Sequence, residues 1–328
     1  SACLVGSEMC IRDRYRKGVL DCVWTPRRCR AVLESRIKET PVQDKTNGWL
    51  NGFIGVAIFA GSLPATRVAV ADLNPMFLTS ARATLAALLG LAFLLLLRQP
   101  RPSLADSPSL ALTAVGVVVG FPLLTALALQ HVSSAHSIVF LGLLPLSTAV
   151  FAVLRGGERP RLPFWVFSVA GAAFVAGYAA LGGLEASLQG DLLMLGAIVV
   201  CGLGYAEGAR LSRKLGGWQV ISWALVLSLP AMLPIAWLSM PASFESVGTR
   251  AWIGFGYVSI FSMLIGFVFW YRGLAQGGIA AVGQLQLLQP FMGLGWAAVL
   301  LHETVSWTML WVTLAAVACV AGAKKYAR

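Results

Sequence analysis

The residues able to do chemistry are few, and they sit inside apolar runs. Arg82, in Ser80-Ala81-Arg82-Ala83, falls roughly two turns into its run at the rise of a helix. A fixed guanidinium there could attract a carboxylate or another anionic group. The alternative is a structural arginine that snorkels outward or binds carbonyls at a helix end. Glu207, in Tyr205-Ala206-Glu207-Gly208-Ala209-Arg210, could be a protonatable coupling group or a ligand for an amine. Its alternative is an ion pair with Arg210, three residues on along the same helix. His136, after Ser133-Ser134-Ala135, could titrate near neutral pH or stand at a capped helix start. Gln284, Gln286 and Gln289 lead into Pro290, and Gln286 and Gln289 share a helix face. Amides so placed either line a cavity or join helices. Ser262, Ser147 and Ser228 reach similar depth, where a hydroxyl can also bond its own helix. Polar groups inside an apolar run are functional candidates because each is costly if it faces lipid.

Catalytic patterns are missing. There is no HExxH, no Walker loop and no ladder of cysteines, so neither a metal nor a cofactor is expected. His131, His136 and His302 are far apart in sequence, and Cys3, Cys10, Cys22 and Cys29 have long spacings with no histidine nearby. Cys201 and Cys319 read as small packing residues. The chain is not expected to be an enzyme.

The elements that must carry these residues are membrane helices. Hydrophobic residues make up 58% and charged residues 12%, and the mean hydropathy is +0.77, well outside soluble globular values. Apolar runs near the length that crosses a bilayer recur from Trp49 to Ala323; about 20 helical residues suffice. The expected spans are Trp49–Ala65, Met76–Leu97, Leu110–Leu129, Ala135–Leu154, Pro163–Leu181, Leu192–Leu211, Trp218–Met240, Trp252–Tyr271, Ile279–Leu301 and Trp307–Ala323. Trp218, Trp252, Trp307 and Trp311 fall near span ends, as an interfacial belt does. Tyr205, Tyr257 and Trp270 would suit the aromatic wall of a solute site.

Ser1 to about Asn47 differs from the rest. It has no long apolar run and no signal-peptide pattern, and Val5 to Arg14 resembles translated sequencing-adapter read-through. We expect a weakly ordered extension over 1–47, part of it artefactual. The net charge of +11 does not point to nucleic acid, because no basic face with interleaved aromatics appears.

Loop charges orient the spans. One set of loops and the C-terminus holds Arg98, Arg101, Arg155, Arg159, Arg161, Arg210, Arg213, Lys214, Arg272, Lys324, Lys325 and Arg328. The other set holds Arg67 and Arg250. The positive-inside rule then places both termini in the cytoplasm, in an inner (plasma) membrane.

The chain also repeats. A shift of 145 residues places Pro145 on Pro290, Glu158 on Glu303, and Val175-Ala176-Gly177 on Val320-Ala321-Gly322. Five spans per half is odd, so the halves (48–184 and 185–328) enter from opposite sides, as in many secondary transporters. Pro145 and Pro290 fall near the midplane as candidate hinges beside the transport path. Glu158 and Glu303 then lie on opposite sides, either as gates or as carboxylates at the starts of spans five and ten.

These residues carry a resemblance. Leu143-Leu144-Pro145 … Gly157-Glu158-Arg159-Pro160, its second copy Leu288-Gln289-Pro290 … His302-Glu303-Thr304, and Arg82 resemble the EamA-type transporters of the drug/metabolite transporter superfamily. The second copy has His302-Glu303 in place of the usual Gly-Glu. The resemblance implies an all-α integral membrane fold of ten helices in two inverted five-helix repeats. It also implies a central cavity that moves small organic metabolites. We expect a secondary transporter, chiefly an exporter, working by alternating access. The expected cavity residues are Arg82, His136, Ser262, Gln286 and Gln289, with Glu207 for coupling and Pro145 and Pro290 as hinges. Its partners would be the solute, the bilayer, a proton or exchanged solute, and a second copy as a candidate homodimer. The competing reading is a non-transporting membrane protein: an intramembrane enzyme on lipid-linked substrates, or a structural subunit.

Overall fold

Glycines, prolines and short polar caps divide the apolar runs into helices. In a computed structural model that describes residues 46–128, 131, 140–180, 187–301 and 307–327, the described residues form no strand. We label α1 (Thr46–Val70), α2 (Pro75–Leu96), α3 (Leu104–Thr125), α4 (Leu144–Leu154), α5 (Leu162–Ala180), α6 (Leu188–Leu215), α7 (Gly217–Leu238) and α8 (Thr249–Gly277). Next come α9, built of Ile279–Gly283, a 3-10 stretch Gln284–Leu288 and Gln289–Leu301, and α10 (Trp307–Tyr326). Among the described residues, α1, α2, α3, α6, α7 and α8 are long and apolar enough to cross a membrane.

Local chemistry explains the boundaries. Asn74 caps α2 by accepting from the Met76 N–H at 2.8 Å, ahead of Pro75, which lacks the N–H a first turn would leave unpaired. Ser187 caps α6. Gly216 and Gly278 adopt φ of 97° and 96°, a region that costs little only for glycine. Each is the single residue between two helices, α6 to α7 and α8 to α9. Several helices outrun their expected spans: α6 begins before Leu192 and ends after Leu211, and α8 extends past both Trp252 and Tyr271. The extra turns of α6 hold Arg213 and Lys214, which find carboxylates on neighbouring elements. Of the fourth expected span, 135–139 lie outside the described residues.

Two wide turns break the α-helical ladder. In α3, Ala114–Gly120 is π-helical and the Phe121 N–H reaches back to the Gly116 carbonyl. In α8, Tyr257–Ile265 is π-helical and the Gly266 N–H reaches Phe261. These two bonds are 145 residues apart at both ends. Pro122, which cannot donate, follows the first, but Phe267 occupies the same place after the second. A proline is therefore not the common cause.

The starts of α1, α3, α5, α7 and α9 meet the ends of α2, α4, α6, α8 and α10. Lys324 lies over the Trp49 ring at 4.3 Å, and the Arg161 N–H reaches the Tyr326 carbonyl. Gly48 abuts Gly277, and Gln219 bonds Gln99. We call this the basic end. The buried core runs continuously through both halves, from Val56 and Ala86 to Leu287 and Ala323. Outward-facing side chains such as Leu96 and Leu238 are exposed and apolar, as a lipid-facing surface requires.

Candidate functional site

At the basic end, α6 presents Glu207, Arg210, Arg213 and Lys214 on its last turns, and each meets an opposite charge. Glu207 is fully buried. It accepts from the Arg155 Nε–H at the end of α4 and from Arg210 Nη2 at 2.8 Å; Arg210 also donates to the Ser109 hydroxyl of α3. The expected Glu207–Arg210 pair is therefore present, and Arg155 joins it from another element. Lys214 reaches both oxygens of Asp106, at 2.9 and 2.7 Å, and Ser103 donates to the same carboxylate. A buried carboxylate is tolerable because two cations and a geometry of short bonds replace its lost water.

Glu158 corrects an expectation. It stands before α5, yet its carboxylate does not serve that helix. Oε1 accepts from the Ile279 N–H at 2.7 Å and Oε2 from the Ala280 N–H at 2.8 Å, with Arg213 at 3.2 Å. It caps α9, whose first N–H groups lack intrahelical partners and favour negative charge. Glu303 lies outside the described residues, as does His136.

Deeper in, the remaining candidates separate. Ser262 accepts a hydrogen bond from the Ser62 hydroxyl of α1 at 2.8 Å. Ser147 bonds the Ile198 carbonyl of α6, while Ser228 bonds the Leu225 carbonyl of its own helix. Pro145 is buried in the first turn of α4, just after a turn at Gly142–Leu143; Pro290 follows the 3-10 stretch of α9. Arg82 is partly buried, and its Nε has no hydrogen-bond partner among the described residues. Gln289 is half-buried. Gln284 and Gln286 are 0% and 3% exposed, and neither carboxamide has a partner among the described residues. Trp270 is fully buried with its indole N–H likewise unpaired. Its ring meets Tyr205 edge-on at 5.4 Å. Tyr257 instead bonds the Ile58 carbonyl. Sequence reading missed Arg155 as the second partner of Glu207; the available signal was that both stand at the same end of neighbouring helices.

The model of the EamA-like transporter family matches residues 46–179 and again 188–323. This chain belongs to the EamA-like transporter family. It is 64% identical over 283 residues to the "Uncharacterized transporter YdeK" of Bacillus subtilis (strain 168), covering 86% of this chain and 99% of the relative. It is 23% identical over 252 residues to an "Uncharacterized transporter" of Archaeoglobus fulgidus, covering 75% of this chain and 86% of that protein. A solved crystal structure matches with a TM-score of 0.72 at 21% identity, covering 87% of this chain and 98% of that one; it speaks for the fold alone. The protein is thus a multi-pass membrane transporter of the drug/metabolite type.

Proposed function

We propose that this EamA-family protein is a secondary transporter that exports small organic solutes by alternating access. In this reading the chain crosses the plasma (inner) membrane ten times as two inverted five-helix repeats, with the basic end and both termini in the cytoplasm. The observation that carries it is the exchange of contacts under the 145-residue shift. The α3–α6 pair corresponds to α8–α1, both pairs are packed together, and the wide turns of α3 and α8 occupy equivalent positions. The starts of α1 and α9 also share one end with the finishes of α6 and α4, as inversion requires. Two similar halves facing opposite ways can exchange conformations and open a midplane site to either side. The Glu207–Arg155–Arg210 cluster would hold the cytoplasmic end shut, and its release would accompany opening there.

Purified protein in liposomes loaded with a radiolabelled panel of amino acids and amines should release at least one solute faster than protein-free liposomes. Release no faster than the protein-free control for every member of the panel would sink the transport reading and favour a structural or enzymatic role.

A further inference from the structure

We propose that Gln284, Gln286 and Trp270 form the solute-recognition site, and that it takes an uncharged molecule carrying a carbonyl beside an N–H, such as a carboxamide or a pyrimidine edge. This rests on the transporter reading above. Gln284 and Gln286 are 0% and 3% exposed and Trp270 is 0% exposed. Both carboxamides and the indole N–H lack a protein partner among the described residues. Buried donors and acceptors are rarely left unpaired in native proteins, because each loses its water without replacement. Here three such side chains lie on adjacent helices at one depth. Counted from the basic end at ~1.5–2.0 Å per residue, Trp270 is ~10 Å up from the end of α8, and Gln284 to Gln286 are ~8–14 Å up α9. The two helices that carry them pack on α1: Gly52 lies against Val282 and Leu285 of α9, and Gly55 lies against Trp270 of α8.

Local backbone supports the same place. The 3-10 stretch Gln284–Leu288 interrupts α9 ahead of Pro290, and interrupted membrane helices mark solute sites. In that tighter winding, side chains three apart align, so Gln286 and Gln289 fall on one edge. Charge decides the class of solute. Among the described residues, the acidic side chains Asp72, Asp106, Glu158, Asp191 and Glu245 belong to helix ends or loops, while Glu207 lies ~12 Å up α6 by the same count. Glu207 is already neutralised by two arginines. Among the described residues no carboxylate bonds the three recognition residues, so a cation bound there would be desolvated without a counterion. A carboxamide can give and accept at once, and the indole N–H adds a donor for a carbonyl.

The test is equilibrium binding by purified full-length protein in detergent, using nicotinamide and uracil as uncharged probes and tetraethylammonium and benzoate as charged ones. We expect nicotinamide or uracil to bind and to perturb tryptophan fluorescence. Gln286→Met and Gln284→Met should each weaken that binding tenfold or more without lowering Tm, because an apolar side chain of similar size removes the unpaired amide. A Trp270→Phe protein should bind more weakly and lose the fluorescence response. Absence of uncharged-probe binding, tighter binding of either charged probe, or unchanged affinity in both methionine variants would overturn the assignment. Flux of a charged solute without uncharged binding refutes this site and leaves transport standing. Uncharged binding with no flux leaves the site and refutes transport.

Discussion

The pairs α1–α8 and α6–α3 are equivalent under the 145-residue shift, yet they end in different chemistry. Along α1–α8, Gly48 meets Gly277, Gly52 meets Gly273 and Gly55 meets Trp270. The ladder finishes in neutral bonds, Ser62 to Ser262 and Tyr257 to the Ile58 carbonyl, both 2.8 Å. Along α3–α6, Gly116 meets Gly204, and the ladder finishes in ions: Ser109 with Arg210, then Asp106 with Lys214. The counterpart of Ser62 is Glu207. Close backbone approach asks only for small residues, so the packing can be shared while the ends diverge. The difference makes the basic end an ionic closure, whereas the α1–α8 pair closes in neutral bonds with a carboxylate beyond them, Asp72, which accepts from the Gly248 N–H at 2.9 Å.

The largest effect should come from the ionic end. Replacing both Arg155 and Arg210 by alanine leaves the buried Glu207 without a cation and should cost about 3–5 kcal/mol of stability, read as a lower Tm in detergent. Adding Glu207→Gln to that protein should recover most of the loss. A double variant that melts with the wild type would remove the ionic closure from the comparison.

The glycine ladder comes next. A side chain at Gly273 would press on the backbone of Gly52, so Gly273→Val should destabilise by roughly 1–3 kcal/mol. An unchanged Tm would mean that the α1–α8 approach is looser than described. The smallest effect should be at the neutral end. Ser62→Ala should cost about 0.6 kcal/mol, with no change between low and high salt, because no charge is lost there to be screened. A salt-dependent loss would place an unrecognised charge at the Ser62–Ser262 contact and erase the contrast.

Much of the scaffold was legible in order. Apolar length marked the spans, and Pro145 with Pro290 marked equivalent breaks, because both signals are local. The Glu207–Arg210 pair was also legible, since three residues make one helical turn. The Glu158 contact was not: its partners Ile279 and Ala280 stand 121 and 122 residues away, and helix dipole reasoning pointed to the nearer helix. The wide turns were hidden for a similar reason. Pro122 hints at one, while nothing in Gly256 to Phe267 distinguishes the other from ordinary apolar helix.

The site divides the same way. Gln286 and Gln289 stood out as amides in an apolar run, but Gln284 and Gln286, not Gln289, are the ones the packing buries without partners. Composition, apolar period and loop charge are properties of the chain in order, and they settled that this protein is a bundle of membrane helices with repeated halves. Which carboxylate neutralises which cation, which helix Glu158 caps and which amides are left unpaired depend on contacts between segments more than a hundred residues apart. Those contacts exist only once the helices are packed, because no local preference of the backbone encodes them.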